Sequence, residues 1–232
     1  MVQEDTPCRL QREGTAPPQG NVMKRPPTVI VLAAGRGSRF VAPEHKLLQP
    51  FGTSTVLGTA LDHAIESGLQ VRVVTTAVVT AEARRHVAQR DIVELPVATG
   101  QSGELLGMGY SIASGVAASA DAGGWLVLPA DMPTVRPASL LAVAAKLPQH
   151  VVVYAQHRGR RGHPVGFSAE LYSELVQLSG DEGARRLVAR YPSHGVELDD
   201  PGVLADVDTS DDLAALHARS AQPDPSGEAA RG

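Results

Sequence analysis

The chain has 232 residues, 43% of them apolar, a formal net charge of −4 and a single cysteine, Cys8. This length builds one full α/β domain with its own core and is short for two. The weakly acidic balance excludes nucleic acid as a bulk partner; one thiol excludes an internal disulfide or a cysteine zinc site and fits a reducing, cytoplasmic setting; and no stretch approaches the roughly 18 apolar residues of a membrane span.

Residues 1–27 hold Pro17-Pro18 and Pro26-Pro27 and lack the apolar run of a secretory signal, so they read as a disordered leader. Residues 219–232 read as a disordered tail, which leaves 28–218 as the folded domain. Only 3% of the chain is aromatic, so the core must come from Val, Leu, Ile and Ala, as in strands covered by helices on both faces.

The first strand is Val29–Leu32. It breaks at Ala33-Ala34-Gly35-Arg36-Gly37-Ser38-Arg39, where glycines and two arginines would present bare N–H groups and positive charge to an oxyanion. Lys46 follows, beside Leu47 and Leu48, and reads either as a snorkelling core-edge lysine or as a phosphoryl-stabilising cation.

An i, i+4 apolar stripe through Thr53–Ser67, closed by Gly68, predicts a helix. Strands are expected at Val71–Thr75, Ile92–Leu95, Trp125–Leu128 and Val151–Ala155, and helices at Thr80–Gln89, Tyr110–Ala120 and Ala138–Lys146. Val165–Phe167 reads as a short sheet-edge strand because Pro164 precedes it. Ala169–Gln177 and Glu182–Arg190 read as helices, Val196–Leu198 and Val203–Asp206 as short strands, and Ser210–Ala218 as the last helix. Such alternation predicts a single Rossmann-like, doubly wound, mostly parallel sheet with helices on both faces.

Ligands of open α/β sheets bind outside the carboxyl ends of the strands. Those ends deliver Gly35–Arg39, Thr75 and Thr76, Asp131, and the pair Asp206 and Asp208. Asp131, in Pro129-Ala130-Asp131-Met132-Pro133, reads as a metal ligand or a turn aspartate. Asp208 reads as its partner carboxylate or as a helix cap. Alternation puts Asp206 and Asp208 on one side, and both stay open as the second ligand. The turn Gly107-Met108-Gly109-Tyr110-Ser111 is a candidate anion or base site, with Gly107 and Ser111 as its contacts. Arg158 to Pro164, RGRRGHP, is a basic loop that reads as solvated or as a ligand site, and Gly180–Arg185 reads as a helix start.

Together these motifs resemble the nucleotidyltransferases of the nucleotide-diphospho-sugar transferase fold. Leu32–Phe40 and Lys46–Pro50 carry the general likeness. The likeness to the molybdenum cofactor cytidylyltransferases (MobA-like NTP transferase domains) rests on Gly107–Ser111, Pro129–Pro133, Gly162–Pro164, Gly180–Arg185 and Asp206–Thr209. That resemblance covers nearly all of 28–218. It implies transfer of CMP from CTP to molybdenum-bearing molybdopterin, releasing pyrophosphate, with Mg2+ as cofactor and a molybdoenzyme or its maturation chaperone as recipient partner.

By the same resemblance Leu32, Ala33, Ala34, Gly35, Arg36, Gly37, Ser38, Lys46, Thr76, Gly107 and Ser111 would bind the nucleotide. Arg39, Lys46 and Asp131 would be catalytic, and Asp131 and Asp208 would hold the metal. Gly162, His163 and Pro164 would sit by the acceptor. The chain departs from the family in the longer loop Phe40–His45, which also resembles sugar-nucleotide pyrophosphorylases, and in Ala130, where glycine is usual. Ala33-Ala34-Gly35 resembles the cytidylyl rather than the guanylyl branch. Two alternatives stay open: transfer to another phosphorylated acceptor, as in a molybdopterin guanylyltransferase or a sugar-phosphate pyrophosphorylase, and a non-catalytic protein that delivers the cofactor.

Overall fold

The computed structural model describes residues 25–35, 40, 44–96 and 107–220. Arg36, Gly37, Ser38 and Arg39 therefore lie outside the described residues.

Seven strands form the central sheet in the order β5-β4-β1-β6-β8-β7-β9. They are β1 (Thr28–Ala33), β4 (Gln70–Thr76), β5 (Ile92–Leu95), β6 (Gly124–Pro129), β7 (Val152–His157), β8 (Arg160–Ser168) and β9 (Ser193–Glu197). A two-stranded hairpin, β2 (Pro50–Phe51) with β3 (Ser54–Thr55), stands apart. β5, β4, β1 and β6 run parallel, as do β7 and β9, while β8 is antiparallel to both its neighbours. The expected mostly parallel, doubly wound sheet is the observed one.

β-strand alternation splits the core into two layers. Val29, Val31 and Ala33 of β1 face α1 (Val56–Glu66), α2 (Ala77–Ala83) and α4 (Pro137–Ala144), burying Leu57, Leu61, Val79, Leu140 and Val143. Ile30 of β1 with Trp125 and Val127 of β6 faces α3 (Met108–Ala117), α5 (Tyr172–Leu175) and α6 (Arg185–Arg190), through Ile112, Val116, Leu175 and Leu187. The Thr55 hydroxyl caps α1 by accepting from the Gly58 N–H at 2.9 Å. α7 (Ser210–Ser220) closes the first layer with Leu216.

Three expectations are corrected. Val165–Phe167 belongs to a nine-residue interior strand, not an edge. Between the pairs Tyr154↔Val165 and Gln156↔Arg161, Gly162-His163-Pro164 of β8 stands opposite Ala155 alone of β7. The three residues bulge out of the ladder, so the N–H that proline lacks removes no rung. Val203–Asp206 is not a strand: Pro201–Leu204 is a 3-10 turn, and 205–208 runs unpaired by any strand. Thr53 belongs to the turn of the β2–β3 hairpin, so α1 starts only at Val56.

Candidate active site

The parallel strands end together. Register pairs Ala33 with Thr75 and Leu32 with Pro129, which sets Ala33, Thr75 and Ala130 level at the carboxyl edge, with Ala34, Thr76 and Asp131 one step beyond. The Ala130 N–H donates to the Leu32 carbonyl at 3.1 Å, and the Ala130 methyl is buried in the core layer of β1. The Gly35 carbonyl accepts from His45 Nε2 at 3.1 Å, while His45 Nδ1 accepts from the Leu47 N–H at 3.3 Å. One neutral tautomer satisfies both contacts and ties the far end of the loop back to its start.

Lys46 opens the 3-10 turn Lys46–Leu48, which buried Leu47 anchors in the core. Its ammonium donates to Asp131 Oδ2 at 2.6 Å, to the Val207 carbonyl at 3.0 Å and to Asp208 Oδ1 at 3.3 Å. The segment carrying Asp208 is held by the Val207 N–H, which donates to the Asp131 carbonyl at 2.9 Å, and by the fully buried Val207 side chain. Lys46 thus meets Asp131, 85 positions away in the chain, and Val207, 161 positions away, at one point.

Two carboxylates converging on one cation is the arrangement a divalent ion needs. Asp131 Oδ1 is buried without a hydrogen-bond partner, an unmet acceptor at the same place. Among the described residues no three or more His, Cys, Asp or Glu side chains form a full metal cage. Magnesium takes one or two carboxylates and completes its shell with phosphate oxygens and water, so Asp131 and Asp208 fit it.

Asp206 shares this field. Burial raises its pKa, its own backbone N–H opposes the shift, Asp208 and Asp131 add to it, and Lys46 opposes it. The β8 bulge brings His163 to the same side. Burial lowers its pKa against the opposing pull of the Val127 carbonyl, Asp131 and Asp206. His163 Nδ1 is buried with no partner. Gly162 passes so close to Val203 that a side chain there would overlap the Val203 carbonyl, which accounts for the glycine.

Other expected site residues stand differently. Thr76 is the N-cap residue of α2, but its side chain makes no capping bond, leaving its hydroxyl at the mouth of β4. Ser111 is 6% exposed and its hydroxyl donates back to the Gly107 carbonyl at 3.4 Å, inside its own helix. Gly107 and Gly109 abut the turn Ser179–Asp181, where added side chains would overlap backbone, and the Gly109 N–H donates to the Gly180 carbonyl at 2.9 Å. The two glycine motifs are packing partners of one another.

Sequence reasoning missed Asp200. It is 3% exposed and accepts from the Arg136 N–H at 3.0 Å, the Ser139 hydroxyl at 2.6 Å and the Gly202 N–H at 2.9 Å, so it caps α4 across the fold. Asp-Pro-Gly signals a turn, but nothing local shows which helix it caps.

The model of the MobA-like NTP transferase domain matches residues 29–196. This chain belongs to the MobA-like NTP transferase domain family. The nucleotidyltransferase domain is also similar to the solved structure of Rv0371c from Mycobacterium tuberculosis H37Rv, at 30% identity and a TM-score of 0.70, covering 83% of this chain and 98% of that one. A structure of Rv0371c described as a complex with manganese matches at 29% identity and a TM-score of 0.67, over 83% and 98% of the chains. Purine catabolism protein PucB of Bacillus subtilis is 35% identical over 111 residues, 46% of this chain and 54% of PucB. The bifunctional protein GlmU of Zymomonas mobilis is 30% identical over 124 residues, 53% of this chain and 27% of GlmU. The chain thus spans about half and about a quarter of these two curated relatives.

Proposed function

We propose that this domain transfers CMP from CTP to the terminal phosphate of molybdenum-bearing molybdopterin, giving the cytosine dinucleotide form and pyrophosphate. The observation that carries the reading is the meeting of Lys46, Asp131 and Asp208 at the carboxyl edge of β1 and β6.

An acceptor phosphate oxygen attacks the α-phosphorus of the nucleotide, and the bond from that phosphorus to the oxygen bridging the β-phosphate breaks. Both reacting groups are already anionic, so no strong general base is needed, and positioning with charge neutralisation carries the barrier. Leu32–Gly35 would bring backbone to the nucleotide, and the glycine and arginines of 36–39, by their residue types, would add charge and backbone freedom. Asp131 and Asp208 would hold Mg2+, which when bound neutralises phosphate charge. Lys46 passes from these carboxylates to the phosphates and stabilises charge in the transition state. Thr76, at the carboxyl end of β4, would lie near the base, and Gly162-His163-Pro164 would border the acceptor.

The test is pyrophosphate release with CTP, GTP, ATP and UTP in parallel, with and without molybdenum-bearing molybdopterin and Mg2+. Release with CTP alone, dependent on the pterin and abolished by EDTA, is the expected result. Turnover with GTP reassigns the base, and turnover only with a sugar phosphate overturns the acceptor.

A further inference from the structure

The tip of the β7–β8 hairpin, the 3-10 turn at Pro201–Leu204 and α7 border an open surface cavity of about 380 Å³, lined at its rim by the exposed Arg158, Arg160 and Arg219. That volume falls within the range of small-molecule sites. Its polar lining is His157, Arg158, Arg160, Asp206, Asp212 and Arg219.

The positive charges here are not spent on the protein. Among the described residues, the ion pairs of arginine involve Arg25, Arg72, Arg85, Arg90, Arg136, Arg186 and Arg190, and none joins Arg158, Arg160 or Arg219 to a carboxylate. Asp212 is spent: it accepts from the Thr209 N–H at 2.8 Å, the Thr209 hydroxyl at 2.7 Å and the Asp208 N–H at 3.3 Å.

The hairpin turn is built around an arginine that does not suit it. His157 pairs with Arg160, so the loop is Arg158-Gly159, with φ of +50° and +73°. Such two-residue turns need left-handed backbone at both positions and favour Asn-Gly or Gly-Gly. Arg158 is held there by Glu197 of β9, which accepts from the Arg158 N–H at 2.5 Å, the Gly159 N–H at 3.2 Å and Gln156 Nε2 at 2.9 Å. A disfavoured conformation fixed by a neighbouring strand points to a use for the side chain.

Position completes the case. Asp131 follows β6, and in the sheet β6 has β1 and β4 on one side and β8, β7 and β9 on the other. Asp206 joins the two, lining the cavity two residues before Asp208, which accepts from Lys46 at 3.3 Å. A transferase with two substrates must seat the second across the reacting centre from the first.

We propose that this cavity is an anion subsite for the acceptor, in which Arg158, Arg160 and Arg219 bind a negatively charged group of the acceptor other than the phosphate that attacks. The inference rests on the nucleotidyl-transfer reading above. The acceptor class it names is a phosphate ester with a second anionic centre.

Two measurements on the full chain test it. The first follows the side-chain Nε–Hε signals of arginine by NMR during titration with inorganic phosphate, with CTP and Mg2+ present to occupy the nucleotide side. Single variants R158N, R160Q and R219Q assign the three signals. Saturable shifts of all three are expected, and shifts that never saturate overturn the site. The second compares steady-state transfer to molybdopterin by the wild type and by the triple variant R158N/R160Q/R219Q. The acceptor KM should rise at least tenfold while the CTP KM stays within about twofold. An unchanged acceptor KM overturns the proposal with the transfer reading intact. Saturable phosphate binding by a wild type that turns over no nucleotide sinks the transfer reading, and with it the acceptor assignment.

Discussion

Lys46 spends all three ammonium protons on Asp131, Asp208 and the Val207 carbonyl. It keeps two carboxylates close together that would otherwise repel. Lys46→Gln should therefore have two effects. On the proposed reaction, loss of this cation should lower kcat by about 10²-fold or more. The opposed carboxylates should also lower stability, and Mg2+ should restore part of it by binding only the folded form. Pyrophosphate release and urea unfolding with and without Mg2+ check both. A variant with unchanged kcat would remove Lys46 from the chemistry. Asp131 was legible in the sequence because it follows an apolar strand, and Asp208 because it precedes a helix. That a single lysine bridges them was not, since neither residue is near Lys46 in the chain.

Helices and strands found from periodicity were found where the pattern was long. The apolar stripe predicts α1 and the β-branched run predicts β1, because each buries a continuous face. β8 is longer than its apolar run and interior rather than at an edge, because a proline argues against an interior strand unless a bulge absorbs it, and a bulge depends on the neighbouring strand. The glycines of Gly107–Ser111 were legible as special but not for the reason they serve. Gly107 faces the Gly180–Asp181 backbone, whereas the sequence suggested an anion-binding turn. Gly107→Ala should push α3 from that turn and cost about 1–3 kcal/mol by the overpacking it forces. Urea unfolding measures this, and a loss below the range of ordinary surface changes would mean the turn yields.

At the scale of the molecule, charged contacts tie separate elements together and set the response to acid. Glu82 of α2 is 9% exposed. Burial opposes its charge, but bonds from the Thr55 hydroxyl and Arg85, with the charges of Arg85 and His86, prevail and lower its pKa. A carboxylate depressed in the folded state contributes stability above its unfolded pKa and loses it as pH falls through the folded one. Stability should thus fall on the acid side, from the ordinary glutamate range downward, and Glu82→Gln should flatten that limb. Urea unfolding between about pH 3 and 7 tests it, and an unchanged slope would assign the acid sensitivity to other carboxylates.

The sequence by itself determined the alternating α/β architecture and the glycine-containing break after β1, and it supplies the residue types that a phosphate and metal site would need. These follow from local rules: side-chain periodicity, backbone freedom at glycine and the charge a phosphate requires. Only the tertiary structure decided that Lys46, Asp131 and Asp208 meet, that the β8 bulge carries His163 to them, and that Arg158, Arg160 and Arg219 line one cavity. Each of these joins residues from distant segments, and strand order and register, set by packing of the whole core, determine which segments become neighbours.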